Sequence, residues 1–139
     1  MKILIAVDGS DYTRRMLDYL AAHDWLTAGH TLTVLTVVLP LPHRAAAFAG
    51  PDLAATYYRD DAEQVLGPVR AFLEAHAIAA ELFPEIGHPA ECIARRATEG
   101  RHDLVVMGSH GHGAAASLVL GSVAAKVLAR CSTPVLLIR

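Results

Sequence analysis

The stretch from Leu104 to Leu128 constrains the fold more than any other part of the sequence. It begins with four apolar residues, LVVM, which are typical of a strand buried on both faces of a parallel sheet. A loop containing four glycines follows, and a helix is predicted to begin at Ser122. Glycine permits positive φ and lets a ligand approach backbone N–H groups, and a helix N-terminus attracts anions. The strand, loop and helix together therefore predict a phosphate-binding site.

Strands alternate with helices along the whole chain, which predicts an α/β fold: one parallel sheet between helices, with right-handed crossovers. A chain of 139 residues is expected to form a single domain, residues 1–139. The predicted strands are Lys2–Val7, Thr31–Leu39, Ala77–Phe83, Leu104–Met107 and Pro134–Ile138. The predicted helices are Tyr12–Ala28, with Trp25 a candidate for its inner face, Asp52–His76, Pro89–Glu99 and a last one from Ser122, with Val123, Val127 and Leu128 facing the core.

Proline and glycine mark two uncertain segments. Three prolines, a glycine and an alanine run between Pro40 and Pro51 predict a mobile loop. Pro68 lies within the long predicted helix, so that helix either bends there or its first part is a separate element.

Composition excludes several classes of protein. Twelve basic against fourteen acidic residues give a formal charge of -2, which argues against binding nucleic acid by bulk electrostatics. Cys92 and Cys131 are too few for a disulfide framework and are expected to be small buried residues in a reduced, cytoplasmic protein. The predicted strand directly after Met1 leaves no room for a signal or transit peptide, and no apolar run is long enough to span a membrane.

The spacing of the glycine loop is its most specific feature. Gly108, Gly111 and Gly121-Ser122 form the pattern G-x2-G-x9-G-S, which resembles the nucleotide-binding signature of the universal stress protein family, in its ATP-binding branch. The resemblance extends over nearly the whole chain. It includes ILIAVDGS at the start, GHPAE from Gly87, DLVVMGSHG from Asp103, GSVA from Gly121 and TPVLLIR at the end.

This resemblance implies an open five-stranded parallel sheet of order 3-2-1-4-5, the Rossmann-like adenine-nucleotide-binding fold. Ligands of such sheets bind outside the carboxyl ends of the strands, where the strand order reverses. Asp8, Val37 and the loop after Gly108 are then expected around one crevice.

The resemblance also implies which residues contact the nucleotide. Asp8 and Val37 would bind the adenosine part, and backbone amides of Gly108, Gly111, Gly121, Ser122 and Val123 would bind phosphate. From the residues alone, Asp8 could equally bond turn amides, Val37 and Met107 could be core, and Ser122 could be a helix N-cap. The full predicted set is Ala6, Val7, Asp8, Val37, Met107, Gly108, Ser109, His110, Gly111, Gly113, Gly121, Ser122 and Val123.

The implied ligand is ATP, with ADP and AMP as alternatives and Mg²⁺ or Mn²⁺ as a companion ion. An unidentified protein partner is expected to read the nucleotide-bound state. The apolar terminal strand PVLLIR is predicted at a sheet edge, where it would pair with a second copy in a homodimer, as the resemblance also implies.

One feature departs from the family pattern. Family members often carry Arg or Lys near position 112 and a few residues before Gly121, whereas this chain has His112, three alanines from Ala114 and Ser117. Fewer fixed cations weaken the case for tight triphosphate binding. His110 and His112 do not make a convincing metal site, because Cys or carboxylate ligands at suitable spacing are missing, and a solvated loop histidine is the simpler interpretation.

Two other functions remain open from the sequence. The first is a nucleotide- or phosphate-ester-hydrolysing enzyme on the same fold, with His110 as its candidate catalytic group. The second is an interaction module that has lost its ligand. The sequence GHGAAA from Gly111 also matches a dinucleotide fingerprint, but it follows the wrong strand and lacks the acidic residue about 20 positions later.

Overall fold

The computed structural model describes residues 1–113 and 119–139. Strands and helices alternate along the described chain, as the sequence predicts. The elements are β1 (Lys2–Val7), α1 (Asp11–Ala22), β2 (Thr31–Val38), α2 (His43–Ala49), α3 (Pro51–Ala75), β3 (Glu81–Ile86), α4 (Pro89–Glu99), β4 (Leu104–Gly108), α5 (Ser122–Arg130) and β5 (Val135–Ile138).

The five strands form one parallel sheet of order β3-β2-β1-β4-β5. The predicted fold and strand order are therefore confirmed. The central strand β1 pairs with β2 on one side and with β4 on the other; Ile3, for example, is in register with both Leu32 and Leu104. Because the chain leaves β1 toward β2 and later returns to β4 on the opposite side, the order reverses at β1, and a crevice opens at the carboxyl ends of β1 and β4.

Two hydrophobic clusters cover the two faces of the sheet. Ile3 and Ile5 point to the face covered by α1 and α3, whereas Leu4 points to the face covered by α4 and α5. Each of these three side chains is fully buried, and burial of an aliphatic side chain of this size stabilises the fold by about 1.5–3 kcal/mol. A strand packed on both faces must be apolar at consecutive positions, which explains the uninterrupted sequence ILIAV.

The first helix is shorter than predicted. It ends at Ala22 rather than Ala28, and a 3₁₀ turn over Asp24–Leu26 follows. Leu26 is fully buried, while Trp25 is 56% exposed, so the expectation that Trp25 faces inward is wrong. The change from an α-helix to a 3₁₀ turn rotates the chain, and Leu26 rather than its larger neighbour fills the core.

The segment between Pro40 and Pro51 is not the loop that its prolines suggest. It contains α2, a helix with the sequence HRAAAFA, which has high helix propensity because of its alanines. Pro42 occupies the N-cap position and Gly50, at φ +83°, ends the helix. The prolines and glycine thus flank the helix instead of excluding one.

The long helix α3 runs without interruption from Pro51 to Ala75, so the alternative of two separate elements is wrong. Pro68 is on its exposed face. There the carbonyl that loses its backbone donor can bond to water, which makes an internal proline tolerable.

The third strand lies further along the chain than predicted, at Glu81–Ile86 instead of Ala77–Phe83. It includes Pro84, which is in register with Thr36 of β2. Since β3 is an edge strand that pairs on one side only, proline is acceptable where its missing N–H would have faced solvent. The prediction that the strand ends before Pro84 is therefore wrong, because an edge strand can continue through a proline.

On the last helix, Val127 is buried and Val123 half-buried, but Leu128 is exposed, which corrects its predicted inward position. Among the described helices, none combines the length and hydrophobicity that a bilayer span requires.

Candidate functional site

A cavity of about 360 Å³ occupies the crevice at the carboxyl ends of β1 and β4. Its walls come from the ends of β1, β2 and β4, from the loop after β4 and from the start of α5. All the predicted site residues except Ser109 line it: Ala6, Val7, Asp8, Val37, Met107, Gly108, His110, Gly111, Gly113, Gly121, Ser122 and Val123. Their roles toward a ligand stay a prediction, but the fold brings them to one place.

Ser109 is buried and organises the loop from behind the cavity wall. Its backbone N–H donates to the Ile138 carbonyl at 2.8 Å, and its carbonyl accepts the Gly121 N–H at 2.7 Å. Its hydroxyl lies 2.9 Å from Nδ1 of His110. Two expectations are corrected by these bonds. Ser109 does not line the cavity, and the Gly121 amide is engaged within the protein instead of being available to a phosphate.

Asp8 ends β1 and holds the turn into α1. Its Oδ1 accepts the Ser10 N–H at 2.9 Å and the Thr13 hydroxyl at 3.0 Å. The Thr13 oxygen in turn accepts the backbone N–H groups of Asp8 and Gly9. The carboxylate therefore does bond a turn amide, that of Ser10, and it does so with one oxygen. Oδ2 lies toward the loop, 2.6 Å from the position that a Cβ on Gly111 would take.

His112 is bonded to the end of β1. Its Nε2 lies 2.6 Å from the Asp8 carbonyl, so Nε2–H is the donor. The ring is exposed, as expected of a loop histidine, but this bond across the crevice corrects the interpretation that it is simply solvated. This hydrogen bond, together with the close approach of Gly111 to Asp8, holds the loop against Asp8.

The loop glycines allow close approach, not an unusual backbone. Positive φ values occur elsewhere, as at Gly9, and not at Gly108, Gly111 or Gly121, so positive φ is not the reason for these three glycines. A Cβ on Gly108 would lie 2.7 Å from Cβ of Tyr12. One on Gly121 would lie 2.9 Å from the His110 Cα and 3.0 Å from the Ser109 carbonyl oxygen. Neighbouring backbone and Cβ atoms therefore occupy the space that a side chain at Gly108 or Gly121 would need.

The N-terminus of α5 opens onto the cavity. Gly121 is the N-cap and Ser122 the first helical residue, which corrects the alternative of Ser122 as N-cap. The backbone N–H groups in the first turn of a helix have no intrahelical acceptor. Ser122, Val123 and Ala124 all line the cavity, so this turn can present its donors and its positive dipole end to an anion.

Several lining residues escaped the sequence analysis: Tyr12, Thr13, Leu35, Pro89, Ile93, His112 and Ala124. The Tyr12 and His110 rings lie 5.1 Å apart at the cavity wall, and the Arg15 guanidinium lies 4.8 Å above the Tyr12 ring. Ile93 reaches the cavity from α4. The helical spacing of apolar residues marks Ile93 as core. Only the docking of α1 and α4 on the sheet exposes one side of Tyr12 and of Ile93 to the crevice.

The side chains that could bind a metal ion or act as nucleophiles include the histidines and two cysteines, Cys92 and Cys131. Among residues 1–113 and 119–139, no group of three or more His, Cys, Asp or Glu side chains could hold a metal ion. Cys92 is buried, as expected, and burial raises the pKa of its thiol, while Cys131 is half-buried. The alanines from Ala114 and Ser117, where the sequence lacks the basic residues common in the family, lie outside the described residues.

A parallel sheet with a helix N-terminus and a carboxylate in one crevice at the carboxyl ends of its strands defines an open α/β architecture of the doubly wound type. The family model for the universal stress protein family matches residues 1–139. The chain belongs to the universal stress protein family.

Individual relatives agree with this assignment. A universal stress protein of Thermus aquaticus is 36% identical over 138 residues, covering 99% of this chain and 97% of the relative. One of Synechocystis is 33% identical over 99% of this chain, which spans 42% of that relative's length. A universal stress protein crystallised in complex with cAMP has a TM-score of 0.67 and 26% identity, covering 100% of this chain and 97% of its own.

Proposed function

We propose that this protein is an adenine-nucleotide-binding regulator that takes ATP, ADP or AMP in the crevice at the carboxyl ends of β1 and β4. The observation that carries the proposal is the convergence of Asp8, the Gly108–Gly113 loop and the N-terminus of α5 on one cavity. The related protein crystallised with cAMP adds support, because it has the same fold and an adenine nucleotide as ligand.

Within the cavity, Asp8 and Val37 would contact the adenosine part. The amides of Gly108, Gly111, Ser122 and Val123 would bind phosphate, with the Gly121 amide excluded because Ser109 accepts its hydrogen. Mg²⁺ or Mn²⁺ would enter with the phosphates of ATP, since the described residues offer no metal cluster of their own.

Regulation would follow from binding. A nucleotide that contacts both Asp8 and the start of α5 would favour one conformation of the protein around the crevice. The conformation that a protein partner recognises would then become more populated. Residues 1–139 would act as one domain in the cytoplasm, with at most slow ATP hydrolysis. The same domain would form a homodimer through the β5 edge.

Ser122→Glu tests the phosphate end. Ser122 is exposed at the first position of α5, where a carboxylate stabilises the helix through its dipole but repels a phosphate. We expect the affinity for AMP to fall at least tenfold, measured by isothermal titration calorimetry, while thermal unfolding remains cooperative at an unchanged or higher midpoint.

Ser132→Glu is the matched control, because Ser132 is exposed after α5 and does not line the cavity. It introduces the same charge and should leave AMP affinity unchanged. Equal affinities of wild type and Ser122→Glu would refute the phosphate assignment. Mass spectrometry of the ligand that copurifies with the wild type gives a second measurement, with adenine nucleotide as the expected result.

A further inference from the structure

The charges around the cavity indicate which adenine nucleotide it accepts. We propose that the site selects nucleotides with a single phosphate group, AMP or its cyclic form, over metal-free ATP. The inference rests on the proposed function and deepens it, because it concerns the ligand class of the same cavity.

The first observation is the lack of fixed cations. No Lys or Arg is among the described residues that line the cavity. Residues 114–118, which lie outside the described residues, have the sequence AAASL, which contains no charged residue. Proteins that bind polyphosphates usually neutralise them with Lys or Arg, and Arg–phosphate pairs are among the stronger hydrogen-bonded interactions.

Basic residues near the cavity are engaged elsewhere. The Arg15 guanidinium lies over the Tyr12 ring, 4.8 Å from its centre. Arg130, at the far end of α5, donates to Glu91 at 2.8 Å. The lining also contains the imidazoles of His110 and His112; Nδ1 of His110 lies 2.9 Å from the Ser109 hydroxyl, and His112 donates Nε2–H to the Asp8 carbonyl.

The second observation is a negative charge beside the phosphate loop. Asp8 Oδ2 lies 2.6 Å from where a Gly111 Cβ would be, so the carboxylate and the Gly111 main chain are in direct contact. A phosphate seated on the Gly111 amide would lie close to this carboxylate. At neutral pH a terminal phosphate group carries up to about −2 charges, and each further phosphate in the chain adds more negative charge, so the repulsion grows from AMP to ATP.

Helix α5 can compensate only part of this charge. The N-terminus of a helix is equivalent to roughly half an elementary charge, and its effect falls off within the first turn. The cavity, about 360 Å³, is also near the lower end of the range of about 300–1,000 Å³ for ligand sites. One phosphate can be seated at the helix N-terminus, and a chain of three extends beyond the groups that stabilise it.

The experiment is calorimetric titration of the full chain with AMP, cAMP, ADP and ATP in EDTA, at one pH and ionic strength. We expect AMP and cAMP to bind at least tenfold more tightly than ATP, with ADP between them. ATP affinity equal to or above that of AMP would overturn the inference and leave the proposed function standing. Failure of all four nucleotides to bind would overturn both.

Two variants test whether the negative charge of Asp8 causes the preference for a single phosphate group. Asp8→Asn keeps an oxygen acceptor for the Ser10 N–H and the Thr13 hydroxyl but removes the negative charge. The ratio of the ATP and AMP dissociation constants should fall at least threefold. Asp11→Asn, at an exposed acidic residue outside the lining, is the matched control and should leave the ratio unchanged.

If Asp8→Asn no longer binds AMP, the ratio of dissociation constants is measured in Ser122→Arg instead. This variant adds a guanidinium at the start of α5, and its affinity for ATP should increase more than its affinity for AMP. An unchanged ratio in the informative variant would overturn the electrostatic cause. Arg15→Gln should keep the wild-type ratio; a selective loss of ATP binding there would identify Arg15 as a phosphate ligand and would also contradict the inference.

Discussion

His102 is the buried histidine between α4 and β4. It is 8% exposed, its Nδ1 lies 3.1 Å from the Arg96 carbonyl oxygen, and its Nε2 has no hydrogen-bond partner among the described residues. Burial lowers the pKa of His102, and the nearby charges of Lys2 and Arg96 act in the same direction against a smaller opposing effect of the backbone bond to Arg96. The neutral ring is therefore the native form.

This burial predicts a pH dependence of stability. The unfolded chain binds a proton at the ordinary histidine pKa of about 6.5, whereas the folded state binds it only at lower pH. The free energy of unfolding should fall as pH decreases from about 6.5, with a contribution of at most about 1.4 kcal/mol per pH unit, until the folded pKa is reached. Urea denaturation between pH 8 and pH 5 measures the slope.

A neutral replacement isolates the contribution. His102→Gln should flatten the decrease, although its stability at pH 8 is lower. His43→Gln, at an exposed histidine of α2, should keep the wild-type slope. Parallel curves for the wild type and His102→Gln would show that the pH dependence comes from other groups.

At the level of elements, α2 and α3 differ in how they are anchored. No residue of α2 is buried, and Phe48 is 95% exposed, whereas Leu66 of α3 is 3% exposed within the cluster on that face of the sheet. Helix propensity and flanking residues, not burial, account for α2. Burial of its inner face accounts for α3.

Truncation of one apolar residue on each helix tests this difference. Leu66→Ala should lower the free energy of unfolding by about 2–5 kcal/mol, because it removes buried surface and leaves a cavity. Phe48→Ala should change it by less than about 0.5 kcal/mol, as for most surface substitutions. Urea midpoints at fixed pH give both values, and a large loss in Phe48→Ala would mean that α2 is covered in solution.

At the level of the whole molecule, the two edges of the sheet differ. Edge strand β3 contains Pro84, which cannot donate to an incoming strand. Edge strand β5 has no proline, and its Val135, Leu136 and Leu137 are partly exposed apolar residues. Pro134 and Ile138 direct carbonyls to β4, so the alternation of a parallel ladder directs the backbone groups of Val135 and Leu137 to the free edge.

The predicted homodimer should therefore depend on the β5 edge. Val135→Pro removes an outward N–H without removing a bond to β4, and we expect sedimentation velocity at micromolar concentration to show a shift from dimer to monomer. Ile86→Pro is the matched control on the opposite edge: Gly87 donates its N–H to β2, so the alternating N–H groups of β3, that of Ile86 among them, point outward, and this variant should remain dimeric. A wild-type protein that sediments only as a monomer would contradict the prediction.

The sequence by itself determined the class of fold, and its resemblance to the universal stress protein family implied most of the cavity wall. Continuous apolar strands such as ILIAV can satisfy only a sheet covered on both faces, and the strand, loop and helix start between Leu104 and Ser122 follow one another along the chain. These are short-range properties. They do not depend on how distant segments pack, which is why they could be read without a structure.

The tertiary structure decided which atoms of the cavity residues remain available to bind a ligand. It engages the Gly121 amide with Ser109, brings the Asp8 carboxylate against Gly111 and turns one side of Tyr12 and Ile93 to the crevice. It also places Pro84 at an edge, where a strand can continue through it. Each outcome depends on contacts between different segments of the chain. The residue pattern within one segment does not specify which other segment will bond to its backbone groups or pack against its side chains.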